Sequence, residues 1–301
     1  MKLLFATSSY AYLKNELLKT AANIQTGELE VKTFPDGENY HRFGNDLEGK
    51  DIILIGGTVT DTETLELFDL ACGAVKQGAL SLTLVVPFMG YSTMERAVKK
   101  GEIVKAKNRT MLLSAIPKAP MGNRIMLFDI HSEGIPHYFN DDIRPLHIYC
   151  KKIVMDAATQ MYGRDFVLAS TDAGRAKWVE SLANELGINA AFVFKRRVSG
   201  EETQVTSISA NVENKNVVIY DDMIRTGGSL INAAKSYKDA GAKEIAVITT
   251  HGLFTNNALD KIKASGIIKK VVCTDSHPNA LQIKDSFLEV KTIAGLIAEH
   301  I

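Results

Sequence analysis

No surplus of positive charge marks this chain. Lys+Arg and Asp+Glu number 35 each among 301 residues, so the formal net charge is zero. Nucleic-acid binders usually carry a basic excess, so nucleic acid is not an expected partner. Near-zero charge also leaves self-association unopposed. Cysteine is scarce: Cys72, Cys150 and Cys273 lie far apart, without C-x-x-C spacing, in or beside apolar runs. That pattern excludes a disulfide framework and points to buried thiols in a reducing compartment. No uncharged run approaches the ~18 residues of a membrane span. The N-terminal apolar run is broken within a few residues by Ser, Tyr and Lys, unlike a secretory signal. Glycine/serine linkers and low-complexity tracts are missing too. Together these absences lead to the expectation of a cytoplasmic protein with no membrane segment.

What is present is an ordinary globular composition, 46% hydrophobic and 23% charged. At roughly 150 residues per domain, the length suggests two domains, with ample chain for two cores. Strand-like runs alternate with helix-length amphipathic segments. "KLLFAT" precedes a helix over about 11–22, and "DIILIGG" precedes one over about 64–77. "LSLTLVVPF" and "NRIMLFDIH" read as further strands. "DFVLAST" precedes a helix over about 174–185, and "NVVIYDD" one over about 229–240, followed by "EIAVITTHG". Continuous apolar runs separated by helices are the signature of parallel strands covered on both faces, an α/β doubly wound class.

An offset of 163 residues aligns Ala6 with Ala169, Lys14 with Lys177, Gly37 with Gly200, Ala71 with Ala234 and Gly78 with Gly241. The strand–helix order keeps pace along the span, which predicts two tandem copies of one α/β domain. The expected division is residues 1–146 and 147–286, with a last helix over about 287–301 packing back on the first domain. Opposite Asp221 and Asp222 the first copy has Thr58 and Val59. Only one copy keeps acids after this strand.

Those acids belong to "VVIYDDMIRTGGSL", residues 217–230. Strand, tight turn and helix start make an anion site in an α/β fold. Gly227 and Gly228 let backbone N–H groups turn inward. Thr226 and Ser229 add hydroxyl donors, Arg225 adds a full charge, and the helix adds its positive dipole end. Asp221 and Asp222 cannot hold phosphate, but they accept hydrogen bonds from sugar hydroxyls or reach a hydrated Mg2+. A sugar phosphate satisfies both halves. A generic strand–helix turn with a solvated Asp pair is the plainer alternative.

The same stretch resembles the phosphoribosyl-diphosphate binding motif of type I phosphoribosyltransferases and ribose-phosphate diphosphokinases. Here Arg225 stands where that motif usually has Asp, and Ser229 where it has Thr. Further segments resemble the diphosphokinases in order along the chain. "FPDGENYHRF" is similar to their Phe-Ser-Asp-Gly-Glu segment. "PFMGYSTMERA" is similar to the Thr-Met-Glu-Arg form of the class II enzymes, with Thr93 and Met94 in place of the commoner Arg-Gln pair. "FDIHSEG" matches an Asp-Leu-His segment. "STDAGRAKWVESLA" resembles Pro-Asp-Ala-Gly-Gly-Ala-Lys. In "FVFKRRVSGEE", Lys195 and Arg197 match the Lys-x-Arg that precedes a catalytic loop.

The resemblance implies two tandem phosphoribosyltransferase-like domains and a Mg2+-dependent ribose-phosphate diphosphokinase acting on ATP and ribose 5-phosphate. It implies an ATP site of Phe34, Asp36, Glu38, Arg96 and His131, shared between subunits of a homo-oligomer. It assigns Lys195 and Arg197 to the transferring group. Ribose 5-phosphate would take Asp221, Asp222, Arg225, Thr226, Gly227, Gly228 and Ser229, and Mg2+ would take His131 and Asp172. From the residues themselves, Asp129 and His131 are expected on one face of a strand end, and Asp172 is an equally good helix start. About fifteen polar residues after Arg197 read as a lid. Two other readings stay open: a non-catalytic regulatory paralogue, favoured by Thr93, Met94 and Arg225, and a phosphoribosyltransferase.

Overall fold

The computed structural model describes residues 1–199 and 202–301, with backbone alone for residues 173, 194–199 and 202–207. The chain divides into two compact units, Met1–Tyr149 with Thr292–Ile301, and Cys150–Lys291.

In the first unit, β1 (Lys2–Ala6), β2 (Ile24–Thr26), β5 (Asp51–Ile55), β6 (Ser81–Val86), β7 (Asn123–Phe128) and β8 (Ile143–Ile148) form one sheet, and β3 (Leu29–Thr33) and β4 (Asn39–Phe43) a separate hairpin. The sheet order is β2-β1-β5-β6-β7-β8, every pairing parallel. Helices α1 (Ala11–Thr20), α2 (Asp61–Lys76) and α3 (Lys105–Ser114) connect the strands. Alternation along each strand sends apolar side chains to both faces. Leu3, Phe5, Ile52, Leu54, Leu82 and Leu84 pack with Leu67, Leu70 and Ala71 of α2 and Leu113 of α3. Each such Leu or Ile contributes roughly 1.5–3 kcal/mol on burial. Helix α2 starts on a reciprocal cap: Thr60 Oγ1 accepts from Glu63 N at 3.1 Å, and Glu63 Oε2 accepts from Thr60 N at 3.0 Å.

The second unit repeats the plan. Its strands are β9 (Val167–Ser170), β10 (Ala190–Ala191), β13 (Asn216–Ile224), β14 (Glu244–Gly252), β15 (Lys270–Thr274) and β16 (Leu288–Lys291), with a hairpin of β11 (Val193–Ser199) and β12 (Glu202–Ile208). The order β10-β9-β13-β14-β15-β16 is again parallel throughout. One face packs on α6 (Gly228–Asp239) and α7 (Ala258–Ala264) through Leu230, Ala233, Tyr237, Leu259 and Ile262. The other packs on α4 (Lys151–Tyr162) and α5 (Ala176–Leu186) through Val154, Ala157, Val179 and Leu182. A short helix, α8 (Asn279–Gln282), precedes β16, and α9 (Ala294–Ala298) closes the chain in the first unit, where it packs on α1.

The two sheets have one strand order, and each places its hairpin at the same point of that order. The 163-residue offset holds to β6 and β14, which start at Ser81 and Glu244. It fails beyond them, because the chain between β6 and β7 is longer than that between β14 and β15. The polar stretch after Arg197 also differs from expectation. It contains β12, antiparallel to β11 with Lys195 opposite Val205 and Arg197 opposite Thr203. Backbone pairing thus organises a segment whose composition reads as loop. Burial pushes the Cys273 thiol up to about 12. Among the described residues, no helix is long and apolar enough to cross a membrane.

Candidate active site

In a doubly wound sheet, ligands bind at the carboxyl ends of strands where the order reverses. In the second unit that point lies between β9 and β13. Both strand ends carry residues singled out in the sequence: Asp172 just beyond β9, and Asp221 to Ser229 at and beyond the end of β13.

The phosphate loop is built as its sequence requires. Gly227 caps α6 in the left-handed region, at φ +79° and ψ −5°. A β-carbon there would also fall 3.0 Å from Ile262. The helix starts at Gly228, one residue earlier than the sequence suggested, and no side chain caps it. Its first N–H groups therefore remain donors for a ligand. Gly228 has open space around it, and Arg225, Thr226 and Ser229 are exposed.

Adjacent on β13, Asp221 and Asp222 differ in environment. Asp222 is buried, and its Oδ2 meets Arg175 Nη2 at 2.7 Å. Asp221 is partly exposed; it accepts from Thr171 Oγ1 at 2.9 Å and from the Asp222 amide at 3.0 Å. Burial first, and the Asp222 charge second, raise the Asp221 carboxyl to about 7. The loop after β9 is further fixed from within. Tyr237 Oη donates to Ser170 O at 2.9 Å, Ser170 Oγ to Asp172 O at 2.6 Å, and Gly174 N to Asp172 Oδ1 at 2.8 Å. Asp172 therefore opens the short 3-10 turn Ala173–Arg175, while Arg175 takes the cap position of α5. Asp172 is an exposed residue whose carboxylate can meet a ligand. That donor suits Mg2+, which usually takes one or two carboxylates alongside substrate phosphates and water. Among the described residues, no three His, Cys, Asp or Glu side chains gather into a metal-holding group.

In the first unit, Phe34, Asp36 and Glu38 come together in the turn joining β3 to β4. Phe34 N donates to Glu38 O at 2.8 Å, Gly37 N to Phe34 O at 2.9 Å, and Glu38 N to Asp36 Oδ1 at 3.1 Å, with Gly37 at φ +93°. Phe34 is 46% exposed and meets the Tyr40 ring edge-on at 6.1 Å. Arg96 lies in the separate segment between β6 and α3, exposed, 3.5 Å from Glu95. The expectation that Asp129 and His131 share a strand face fails. Strand β7 ends at Phe128, and Asp129 turns to φ +34°, so the pleat does not reach either residue. Asp129 is buried and His131 exposed. The side chains of Lys195 and Arg197 lie outside the described residues.

The matching point of the first unit, between β1 and β5, is filled by protein. Tyr10 is fully buried there, and a β-carbon on Gly57 would fall 2.3 Å from its hydroxyl. Thr58 Oγ1 accepts from Gly90 N at 2.7 Å. Sequence reasoning missed this plug, and it missed Thr171 and Arg175 beside the acid pair. Arg175 had a visible signal, since it occupies the second glycine position of the segment it resembles.

Two family models match the chain: the N-terminal domain of ribose phosphate pyrophosphokinase over residues 2–116, and the phosphoribosyl synthetase-associated domain over residues 165–301. A ribose-phosphate pyrophosphokinase of Mycoplasma genitalium is 35% identical over 245 residues, 79% of this chain and 71% of that protein. One of Chlorobaculum tepidum is 32% identical over 287 residues, 94% of this chain and 86% of that protein. The crystal structure of a phosphoribosylpyrophosphate synthetase from Mycobacterium smegmatis superposes with a TM-score of 0.87 at 24% identity, covering 99% of this chain and 96% of that one.

Proposed function

The chain belongs to the ribose-phosphate pyrophosphokinase family, and from that premise we propose that it converts ATP and ribose 5-phosphate to AMP and 5-phospho-α-D-ribose 1-diphosphate. The observation that carries this reading is the pairing of an uncapped, glycine-turned helix start with a strand-end acid pair at the reversal point of the second unit.

The sugar's phosphate docks on Thr226–Ser229, and its ring hydroxyls donate to Asp221, the more open of the two acids. The anomeric hydroxyl oxygen then attacks the β-phosphorus of ATP. The bond from that phosphorus to the bridging oxygen on the α side breaks, AMP leaves with that oxygen, and the hydroxyl proton passes to solvent. No covalent intermediate on the protein is needed, because such transfers rest on alignment and charge neutralisation. Lys195 and Arg197, which the resemblance assigns to the transferring group, would neutralise its charge. Asp172 and His131 are the residues that would hold Mg2+, and the ion would supply charge neutralisation on the phosphate oxygens.

Phe34 stacks on adenine, Asp36 and Glu38 accept from its amino group, and Arg96 meets the nucleotide. An exposed aromatic at a hairpin tip suits a ring offered to a neighbouring copy, which supports a homo-oligomer with a shared ATP site. The Thr-Met-Glu-Arg segment at 93–96 supports a class II character with a looser choice of nucleotide donor. The cytoplasm, where the substrates are made, is the proposed compartment.

The test is AMP release from ATP and Mg2+, with and without ribose 5-phosphate. Ribose-dependent AMP with an equal amount of diphosphorylated product is the expected result. No AMP across a range of metal and phosphate conditions, with partner subunits still bound, would instead identify a regulatory paralogue.

A further inference from the structure

Bulky residues avoid the left-handed region of the backbone, which Asn and Asp tolerate. Among the described residues, Tyr91 and Phe254 are the two large side chains found there. Tyr91 stands at φ +61°, at the head of the segment that carries Thr93, Met94, Glu95 and Arg96. Such a conformation is costly and persists only where its surroundings over-determine it.

Three parts of the first unit do so. At the start of α2, Asp61 Oδ1 accepts from Tyr91 Oη at 2.9 Å and from Arg109 as well. On α3, Lys105 Nζ and the Arg109 guanidinium carbon lie 4.8 Å and 4.9 Å from the centre of the Tyr91 ring. The Tyr91 carbonyl accepts from Met94 N at 2.8 Å, which closes a turn. Between β7 and β8, Tyr138 donates its hydroxyl to Glu95 O at 2.7 Å. Arg96 leaves this pinned backbone as an exposed side chain.

Local preference opposes the arrangement on α3 too. Lys105 opens that helix, at the positive end of its dipole. Lys105 and Arg109, four residues apart, share a helix face and repel each other. A strained tyrosine, a cation at the unfavourable helix end and a like-charged pair thus converge on one ring. The core does not account for this, since Tyr91 is partly exposed and Asp61 exposed. Local conflicts that gather at one point are the mark of a functional site.

We propose that Tyr91, clamped by Asp61, Lys105 and Arg109, is a positioning residue for the nucleotide: its ring fixes the turn from which Arg96 reaches ATP. The inference rests on the assignment of Arg96 to the nucleotide above and deepens it.

The experiment is steady-state turnover of the full chain in excess Mg2+, with ATP and ribose 5-phosphate varied in turn. Glycine takes φ +61° without strain but carries no ring. Tyr91→Gly should therefore raise the Michaelis constant for ATP about tenfold, the scale of two lost cation–ring contacts and a hydrogen bond. The constant for ribose 5-phosphate should stay within about twofold. Tyr91→Phe keeps the ring beside its cations and should recover most of the loss, and Arg96→Ala should raise the constant for ATP alone. An ATP constant near wild type for Tyr91→Gly, with that of Arg96→Ala raised, would overturn the proposal and leave the Arg96 assignment standing. An unchanged constant for Arg96→Ala would remove assignment and proposal together. Equal rises for both substrates in Tyr91→Gly would mark the tyrosine as structural and overturn the proposal too. Where Tyr91→Gly does not fold, Arg109→Met, which leaves the turn itself untouched, takes its place, with a rise of about threefold for ATP alone.

Discussion

Arg175 Nη2 and Asp222 Oδ2 lie 2.7 Å apart, joining the turn after β9 to strand β13 at the reversal point of the second sheet. Removing one partner strands the other charge in a buried setting. Arg175→Ala should lose about 3–5 kcal/mol of stability. Replacing both, as R175M/D222L, should recover most of that loss. Urea midpoints of the two variants against wild type decide it, and an Arg175→Ala loss below about 1 kcal/mol would place the pair among exposed ones.

Asp221 links stability to pH. Its folded carboxyl, raised to about 7 by burial and by Asp222, holds a proton that the unfolded chain gives up near its ordinary value of 3.8. Between those values the folded chain binds more protons, so this group lowers stability as pH rises through the window. Asp221→Asn should match wild type near pH 4 and exceed it at pH 8. Parallel stability curves for the two chains would refute the assignment.

The two glycines of the phosphate loop should respond differently. Gly227 sits at φ +79° with Ile262 close by, so Gly227→Ala should cost about 1 kcal/mol or more in stability. Gly228 has room for a methyl group. Gly228→Ala should melt like wild type yet bind ribose 5-phosphate more weakly, because the methyl stands over the helix-start donors. Thermal melts and titrations of both variants separate the effects.

Lys195→Ala should lower turnover about 10²-fold or more with little change in folding, the scale of a lost electrostatic donor. Turnover close to wild type would end the assignment of β11 to the transferring group.

Phe34→Ala should raise the Michaelis constant for ATP on the order of tenfold, the scale of one lost base stack. Stability should hold, since Phe34 is 46% exposed and Tyr40 is its ring neighbour. An unchanged Michaelis constant would move the adenine elsewhere.

Much of this was legible in the sequence. Apolar runs such as Val217–Tyr220 announce buried parallel strands because period and composition are local properties. Asp221, Asp222 and the Gly227–Gly228 turn are contiguous, so their loop could be read as a unit. Asp129 and His131 misled because a backbone turn at φ +34° leaves no trace in composition. The hairpin of β11 and β12 was hidden because pairing partners outvote a polar composition. Arg175 meets Asp222 across the sheet, a contact that no reading along the chain supplies.

Tyr10 gives the duplication a direction. Its ring fills the first unit's own counterpart of the crevice in which the second unit keeps acids, Gly57 has room for no side chain beside it, and Thr58 is tied to Gly90. Writing Asp at 58 would bury a carboxylate, since Thr58 is 0% exposed, in a site with no Arg175 to answer it. Each single reversion is uphill, and only a concerted exchange of Tyr10, Thr58 and Val59 with a new cation would reopen the crevice. Specialisation of the first half is therefore ratcheted: drift can elaborate its surface, but stepwise change does not return it to its twin.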